Sequence, residues 1–71
     1  MPKLPCVSGA KVARALERLG FARKRQKGSH LIMRRGSNVC VVPMHREVDQ
    51  GTLHGVLRQA AVSTEEFLEN L

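Results

Sequence analysis

Residues 21–43 read FARKRQKGSHLIMRRGSNVCVVP, and this stretch decides the fold. Three short segments within it favour β-strands, at 21–26, 30–34 and 38–43. The turn sequences Lys27-Gly28-Ser29 and Arg35-Gly36-Ser37 separate them. Connections this short permit only antiparallel pairing, so the sequence predicts a three-stranded meander. Pro43 is expected to end the last strand, because proline has no N–H to donate.

Helical periodicity appears on both sides of the strands. Ser8 is a favourable N-cap, apolar residues follow at helical spacing over residues 12–19, and Gly20 is expected to end this helix. A polar loop is predicted over Met44–Gln50, and a second helix is predicted to begin near Gly51 or Thr52. Its buried stripe is expected to be Leu53, Val56, Leu57 and Ala60.

A short terminal helix is predicted after Ser63-Thr64-Glu65-Glu66, which has the pattern of a capping box. The chain is therefore predicted to be one small α+β domain over residues 1–71, with the order α-β-β-β-α. The helices are expected to pack on one face of the sheet and to leave the other face open.

Charge is unevenly distributed along the chain, whose net charge is +6. Residues 1–46 contain eleven of the twelve Lys and Arg residues, whereas residues 47–71 contain five of the six acidic residues. This asymmetry indicates a polyanionic ligand such as nucleic acid, although a solvated basic face would give the same count. Only Phe21 and Phe67 are aromatic, which disfavours binding of single strands by base stacking.

The cysteines and the N-terminus disfavour several other classes of protein. Cys6 and Cys40 form no C-x-x-C pair, which disfavours a disulfide-stapled secreted domain, and no zinc-ligand spacing is recognisable. The N-terminus lacks the apolar region of a signal peptide, and no apolar run approaches the roughly 20 residues that cross a bilayer. We therefore expect a cytoplasmic protein.

His30 is the most informative polar residue of the strands. Alternation places it with Ile32 and Arg34 on one side of the second strand, and places Leu31 and Met33 on the other. If the latter two meet the helices, His30 lies on the open face. The candidate phosphate-binding residues around it are Arg23, Arg25, Lys27, Arg34 and the backbone N–H groups of Gly28 and Ser29.

A basic stripe on the first helix, formed by Lys11, Arg14 and Arg18, is either a solvated face or a further set of phosphate contacts. Arg14 and Arg18 are therefore also candidate RNA-binding residues.

Such a site suits RNA, which carries its own nucleophile in the 2′-hydroxyl. An enzyme then needs a base, an acid and positive charge near the phosphate, and histidine, with a reference pKa of about 6.5, can serve in either proton transfer. A histidine after a turn can equally be an ordinary surface residue. The second proton-transfer group stays open among His45, Lys27 and water, and His45 could instead contact a partner. His54 is expected to be solvated.

Four stretches in order carry a resemblance to a known family: LPCVSGAKVARALERLGF at 4–21, KGSH at 27–30, VVPMH at 41–45 and GTLHGVLRQAAVSTEEFL at 51–68. Together they resemble the HicA family of bacterial toxins, which are small mRNA interferases. His54 departs from the pattern, since family members often carry arginine there.

The resemblance implies a fold like that of double-stranded-RNA-binding domains, with His30 as the catalytic residue. It implies mRNA cleavage without metal or cofactor, and a cognate HicB-type antitoxin that masks the site. Operator DNA would be bound only indirectly, through the antitoxin. The alternatives are a non-catalytic double-stranded-RNA-binding module and an interaction protein whose basic face binds an acidic partner.

Overall fold

The sheet in the computed structural model, which describes residues 3–71, is the predicted meander. Strands β1 (Ala22–Lys27), β2 (His30–Arg35) and β3 (Asn38–Pro43) are antiparallel and lie in the order β1-β2-β3. The strand bounds agree with the predicted ones to within one residue. The meander inferred from the short connections is therefore confirmed.

Two turns of the same kind join the strands. Each has two residues, Gly28-Ser29 and Gly36-Ser37, and in each the glycine has φ +60° while the serine has a negative φ. A positive φ at the first position alone is the pattern of a type II′ turn, whose twist matches that of the flanking strands. Glycine suits these positions because residues with a Cβ rarely adopt this φ.

The helix ends follow the capping residues in the sequence. Helix α1 (Gly9–Arg18) starts after Ser8, whose hydroxyl accepts a hydrogen bond from the Lys11 N–H, and Gly20 follows its end with φ +98°. Helix α3 (Thr64–Glu69) has the predicted capping box between Ser63 and Glu66. The N-cap rule therefore located the start of both helices, and the C-terminal glycine located the end of α1.

Helix α2 (Gln50–Ala60) begins slightly earlier than the sequence indicated. Asp49 is its N-cap, and the carboxylate accepts a hydrogen bond of 2.8 Å from the Thr52 N–H. Gln50 therefore belongs to the helix and not to the preceding loop. The buried residues of α2 are the four predicted ones: Leu53, Val56, Leu57 and Ala60.

The core lies on one side of the sheet. Leu31, Met33, Cys40 and Val42 face it from β2 and β3, and the helices close it with Leu16, Leu53 and Phe67 among others. The predicted α+β architecture, with helices on one face of the sheet, is confirmed. Among residues 3–71, every helix is too short or too polar to cross a lipid bilayer.

The start of α1 and the end of β3 are in close contact. The Gly9 N–H donates to the His45 carbonyl at 2.9 Å, and a Cβ at Gly9 would overlap the Pro43 carbonyl oxygen and lie 2.8 Å from Met44 Cα. An isolated antiparallel bridge pairs Val7 with Val48. The polar loop after β3 is therefore fixed at both ends, which the sequence pattern did not reveal.

Candidate active site

Three cross-strand rows form the face of the sheet opposite the core, here called the open face. Residues paired directly across antiparallel strands lie on the same face, so the register defines the rows. The rows are Lys27–His30–Pro43, Arg25–Ile32–Val41 and Ala22–Arg34–Val39. The β1 side of the open face is cationic and its β3 side is apolar.

His30 is the first residue of β2 and directly follows the Gly28-Ser29 turn. It is exposed, and within residues 3–71 no hydrogen bond engages its imidazole ring. Lys27 is its direct partner on β1, and Arg34 lies farther along β2 on the same face. Sequence alternation thus located His30 correctly, and both ring nitrogens are available to a ligand.

The turn before His30 is fixed by bonds to its two carbonyls. The Gln26 side-chain amide donates to the Gly28 carbonyl at 3.0 Å, and the Met44 N–H donates to the Ser29 carbonyl at 2.6 Å. Gly28 is exposed and Ser29 is half-buried. The turn therefore holds a fixed position beside the imidazole.

Arg23 lies on the opposite side of the sheet from His30. The β1–β2 register shifts between Arg23 and Arg25, so that Arg23 is paired with Met33, whose side chain is in the core, and Arg25 with Ile32. Arg23 forms an ion pair with Glu17 of α1, with its Nε 3.3 Å from Oε2. The expectation that Arg23 joins His30 on the open face is therefore wrong.

The physical reason is a β-bulge in β1. Strict alternation would place residues 23, 25 and 27 on one face, but the bulge inserts an extra residue, Lys24, which has no partner on β2. One inserted residue moves the side chains that precede it in the strand to the opposite face of the sheet. Arg25 and Lys27, which follow the bulge, keep the predicted side.

The electrostatic character of the open face follows from the sequence. No acidic residue occurs between Glu17 and Glu47, so the three strands carry no carboxylate. Arg25, Lys27 and Arg34 are exposed, and the ion pair of Arg23 is the only one within residues 3–71. Arg34 is oriented by a 2.6 Å hydrogen bond from its Nε to the Gly36 carbonyl. A phosphate would meet only positive charge here.

Arg14 and Arg18 lie away from His30, in the helix layer. With Lys11 they line a groove of about 370 Å³ whose other lining residues are Val7 and Leu71. The Arg18 guanidinium also donates to the Asn70 carbonyl at 2.7 Å, which ties α1 to the C-terminal end. Apart from Arg23, the candidate RNA-binding residues therefore fall on two surfaces, the open face and this α1 groove.

The cysteines do not contribute a nucleophile to the open face. Both are free thiols, and Cys6 is exposed while Cys40 is buried in the core. Burial raises the pKa of the Cys40 thiol to about 11. Within residues 3–71, no three His, Cys, Asp or Glu side chains are grouped as metal ligands would be.

The site lies within a region that matches a known family. A family model described as HicA toxin of bacterial toxin-antitoxin matches residues 9–62, which is more than half of the chain. The matched region runs from α1 through the three strands to the end of α2 and includes the Gly28-Ser29 turn and His30. No curated protein matches the chain. The chain belongs to the HicA toxin family of bacterial toxin–antitoxin systems.

Proposed function

We propose that this toxin is an endoribonuclease that cleaves mRNA in the cytoplasm without metal or cofactor, and that His30 is its catalytic residue. One observation carries the proposal. In a member of a toxin family, an exposed imidazole that makes no hydrogen bond within residues 3–71 stands on a sheet face that has three cations and no carboxylate. An imidazole among cations suits a reaction at a phosphodiester.

The chemistry uses the 2′-hydroxyl of the RNA. His30 accepts the proton of that hydroxyl as the 2′-oxygen attacks the adjacent phosphorus. The 2′-O–P bond forms, the P–O5′ bond breaks, and a proton goes to the departing 5′-oxygen. The charge that develops on the phosphoryl oxygens is stabilised by Lys27, the direct partner of His30, and by Arg25 in the next row. Arg34 lies four residues along β2, roughly 13 Å away at about 3.3 Å per residue, and can contact a neighbouring phosphate.

The turn before His30 contributes to phosphate binding in this proposal. Backbone N–H groups at Gly28 and Ser29 are donors beside the imidazole, and the two bonds to the turn carbonyls hold them in place. These contacts are to the RNA backbone, which is the same at every nucleotide. We therefore expect loose sequence preference.

The α1 groove is proposed to bind the phosphates that flank the cleaved one. Lys11, Arg14 and Arg18 span about 10 Å along the helix at 1.5 Å per residue. Because the start of α1 contacts Pro43, whose partner across the sheet is His30, the groove begins at the end of the molecule that carries His30. An RNA strand that passes over His30 can continue along these three cations.

A cognate HicB-type antitoxin is the proposed protein partner. The matched family consists of toxins of toxin–antitoxin systems, and a toxin that cuts cellular mRNA requires a partner that restrains it. Operator DNA would be bound only through that partner. Co-expression of the neighbouring small gene should restore growth to cells that express this chain.

The end groups of the products test the reaction type. A 2′-hydroxyl attack leaves a 2′,3′-cyclic phosphate or 3′-phosphate and a 5′-hydroxyl, and a 2′-deoxy substitution at the cleaved position should block it. Products with a 5′-phosphate would show an activated water and would rule out this mechanism. Binding of double-stranded RNA without any cleavage would support the alternative, a non-catalytic RNA-binding module of the same fold.

A further inference from the structure

We infer that His45 is the second proton-transfer group of this reaction and that it protonates the departing 5′-oxygen. The inference rests on the proposed ribonuclease activity and adds a residue to it. His45 lies in the loop between β3 and α2, outside the open face as defined by its three rows.

The proton balance of the reaction requires such a group. One proton leaves the 2′-hydroxyl and one must reach the 5′-oxygen as its bond to phosphorus breaks, so an imidazole that accepts the first cannot supply the second in the same step. The strands offer no carboxylic acid, because no acidic residue occurs between Glu17 and Glu47. The strands themselves offer Lys27 as a candidate donor, and the loop that follows β3 offers His45.

Main-chain hydrogen bonds bring His45 close to His30. His30 is paired with Pro43, and the Met44 N–H continues the ladder by one step to the Ser29 carbonyl at 2.6 Å. Paired Cα atoms are about 5 Å apart, and two further residues add at most about 7 Å. The Cα atoms of the two histidines are therefore within about 12 Å. Two imidazole side chains extended towards each other can bridge this separation to a single phosphodiester.

The position of His45 is fixed while its ring is free. Its carbonyl accepts the 2.9 Å hydrogen bond from the Gly9 N–H, and the preceding Met44 packs against the core. The His45 side chain is exposed, and within residues 3–71 no hydrogen bond engages its ring. The anchoring is by the main chain, so a change of the side chain leaves it intact.

The other ionisable groups at this end are less suited to the role. They are Lys27 at the end of β1, Lys11 in the first turn of α1, and Arg46 and Glu47 in the loop, while the carboxylate of Asp49 is engaged as the cap of α2. A general acid must hold a proton near neutral pH and also release it. Reference pKa values are about 10.4 for lysine, 4.3 for glutamate and 6.5 for histidine, so imidazole meets both conditions best.

The decisive experiment compares two RNA substrates. One has the normal 5′-oxygen at the cleaved bond, and the other has sulfur in its place, which leaves as a thiolate and needs no proton. The proteins are wild type, His45→Gln, His30→Ala and the control His54→Gln, whose histidine is exposed on α2. Circular dichroism and thermal unfolding check that each variant is folded.

We expect His45→Gln to cleave the normal substrate about 10²–10⁴-fold more slowly than wild type and the sulfur substrate at nearly the wild-type rate. His30→Ala should be slow on both substrates, and His54→Gln should match wild type on both. A general acid acts when protonated, so the wild-type rate should fall at high pH, and His45→Gln should lose that fall.

Two results overturn the assignment of His45 alone: wild-type rates for His45→Gln on the normal substrate, or equal slowing on both substrates with an unchanged pH profile. In either case cleavage still depends on His30, and the proposed function stands. If wild type cleaves neither substrate, the proposed function fails and the role of His45 fails with it.

Discussion

At the scale of single residues, Gly9 shows how one missing side chain shapes the site. The absence of a Cβ lets α1 begin against Pro43 and Met44 and lets its N–H reach the His45 carbonyl. We predict that Gly9→Ala lowers the free energy of unfolding by about 1–3 kcal/mol, because the methyl group overlaps backbone atoms that cannot move freely. Urea denaturation measures this value.

Gly55 is the matched control for that change. It lies inside α2, and a Cβ there would meet nothing within 4 Å. Gly55→Ala should therefore raise the free energy of unfolding by about 0.5–1 kcal/mol, as alanine does in a helix interior. A Gly9→Ala protein as stable as wild type would contradict the close contact between α1 and the end of β3.

The candidate site was partly predictable from single residues. Alternation within β2 placed His30 and Arg34 on the open face, because side chains of a regular strand follow a two-residue period. The same rule failed for Arg23, since the bulge at Lys24 depends on how β1 pairs with β2. The nearness of His45 to His30 depends on hydrogen bonds between distant segments, which no local pattern encodes.

At the scale of elements, α2 depends on a titratable cap. Hydrogen bonds from Thr52, chiefly from its backbone N–H, lower the pKa of the Asp49 carboxyl below its usual value of about 4. A carboxyl whose pKa is lower in the folded state stabilises the fold when the pH is above its pKa in the unfolded state. That contribution is lost as the pH falls through its pKa in the folded state. The cap is therefore fully effective at neutral pH.

Asp49→Asn tests this element. Asparagine also caps helices but does not titrate, so the variant should lose less stability than wild type as the pH falls below about 4. Urea unfolding from pH 7 down to acidic pH gives the comparison. Both proteins will still lose some stability there through Glu66, whose pKa is lowered by hydrogen bonds from Ser63. Parallel pH curves for the two proteins would contradict a capping role for the Asp49 carboxylate.

Strand β1 provides a second test at this scale, because its bulge separates two arginines onto opposite faces. The test is made in a His30→Ala background, where the RNA stays intact. Arg25→Gln should reduce the magnitude of the slope of the logarithm of the RNA-binding constant against the logarithm of the salt concentration by about 0.7, which is the value for one phosphate contact on a single strand. Arg23→Gln should change the slope less, because Arg23 pairs with Glu17 on the helix side. Equal changes in the two variants would contradict the assigned faces.

The elements themselves followed from local signals wherever capping or turn chemistry dictated them. Ser8 and Ser63 marked helix starts, and Gly28 and Gly36 marked the two turns, because each residue acts on its own neighbours. The bridge between Val7 and Val48 was not predictable from local signals. It forms only when the segment before α1 meets the loop between β3 and α2 in the folded protein.

At the scale of the whole molecule, the fold separates stability from function. The core lies on one face of the sheet and leaves most of the open face to solvent, Pro43 being the buried exception. The contact of Gly9 with the end of β3 brings the α1 groove to the same end. The α1 groove thus starts at the end of the molecule that carries His30, while most acidic residues lie in residues 47–71. This arrangement suits a polyanion that passes from one surface to the other.

The central claim is that His30 cleaves RNA on this surface without metal. The most direct test incubates wild type and His30→Ala with mixed mRNA in excess EDTA, and follows cleavage on a gel and binding by mobility shift. We predict cleavage by wild type only and binding by both proteins, because the cations of the open face and the α1 groove are unchanged. Cleavage by His30→Ala at the wild-type rate, or binding by both proteins with no cleavage by either, would contradict the claim.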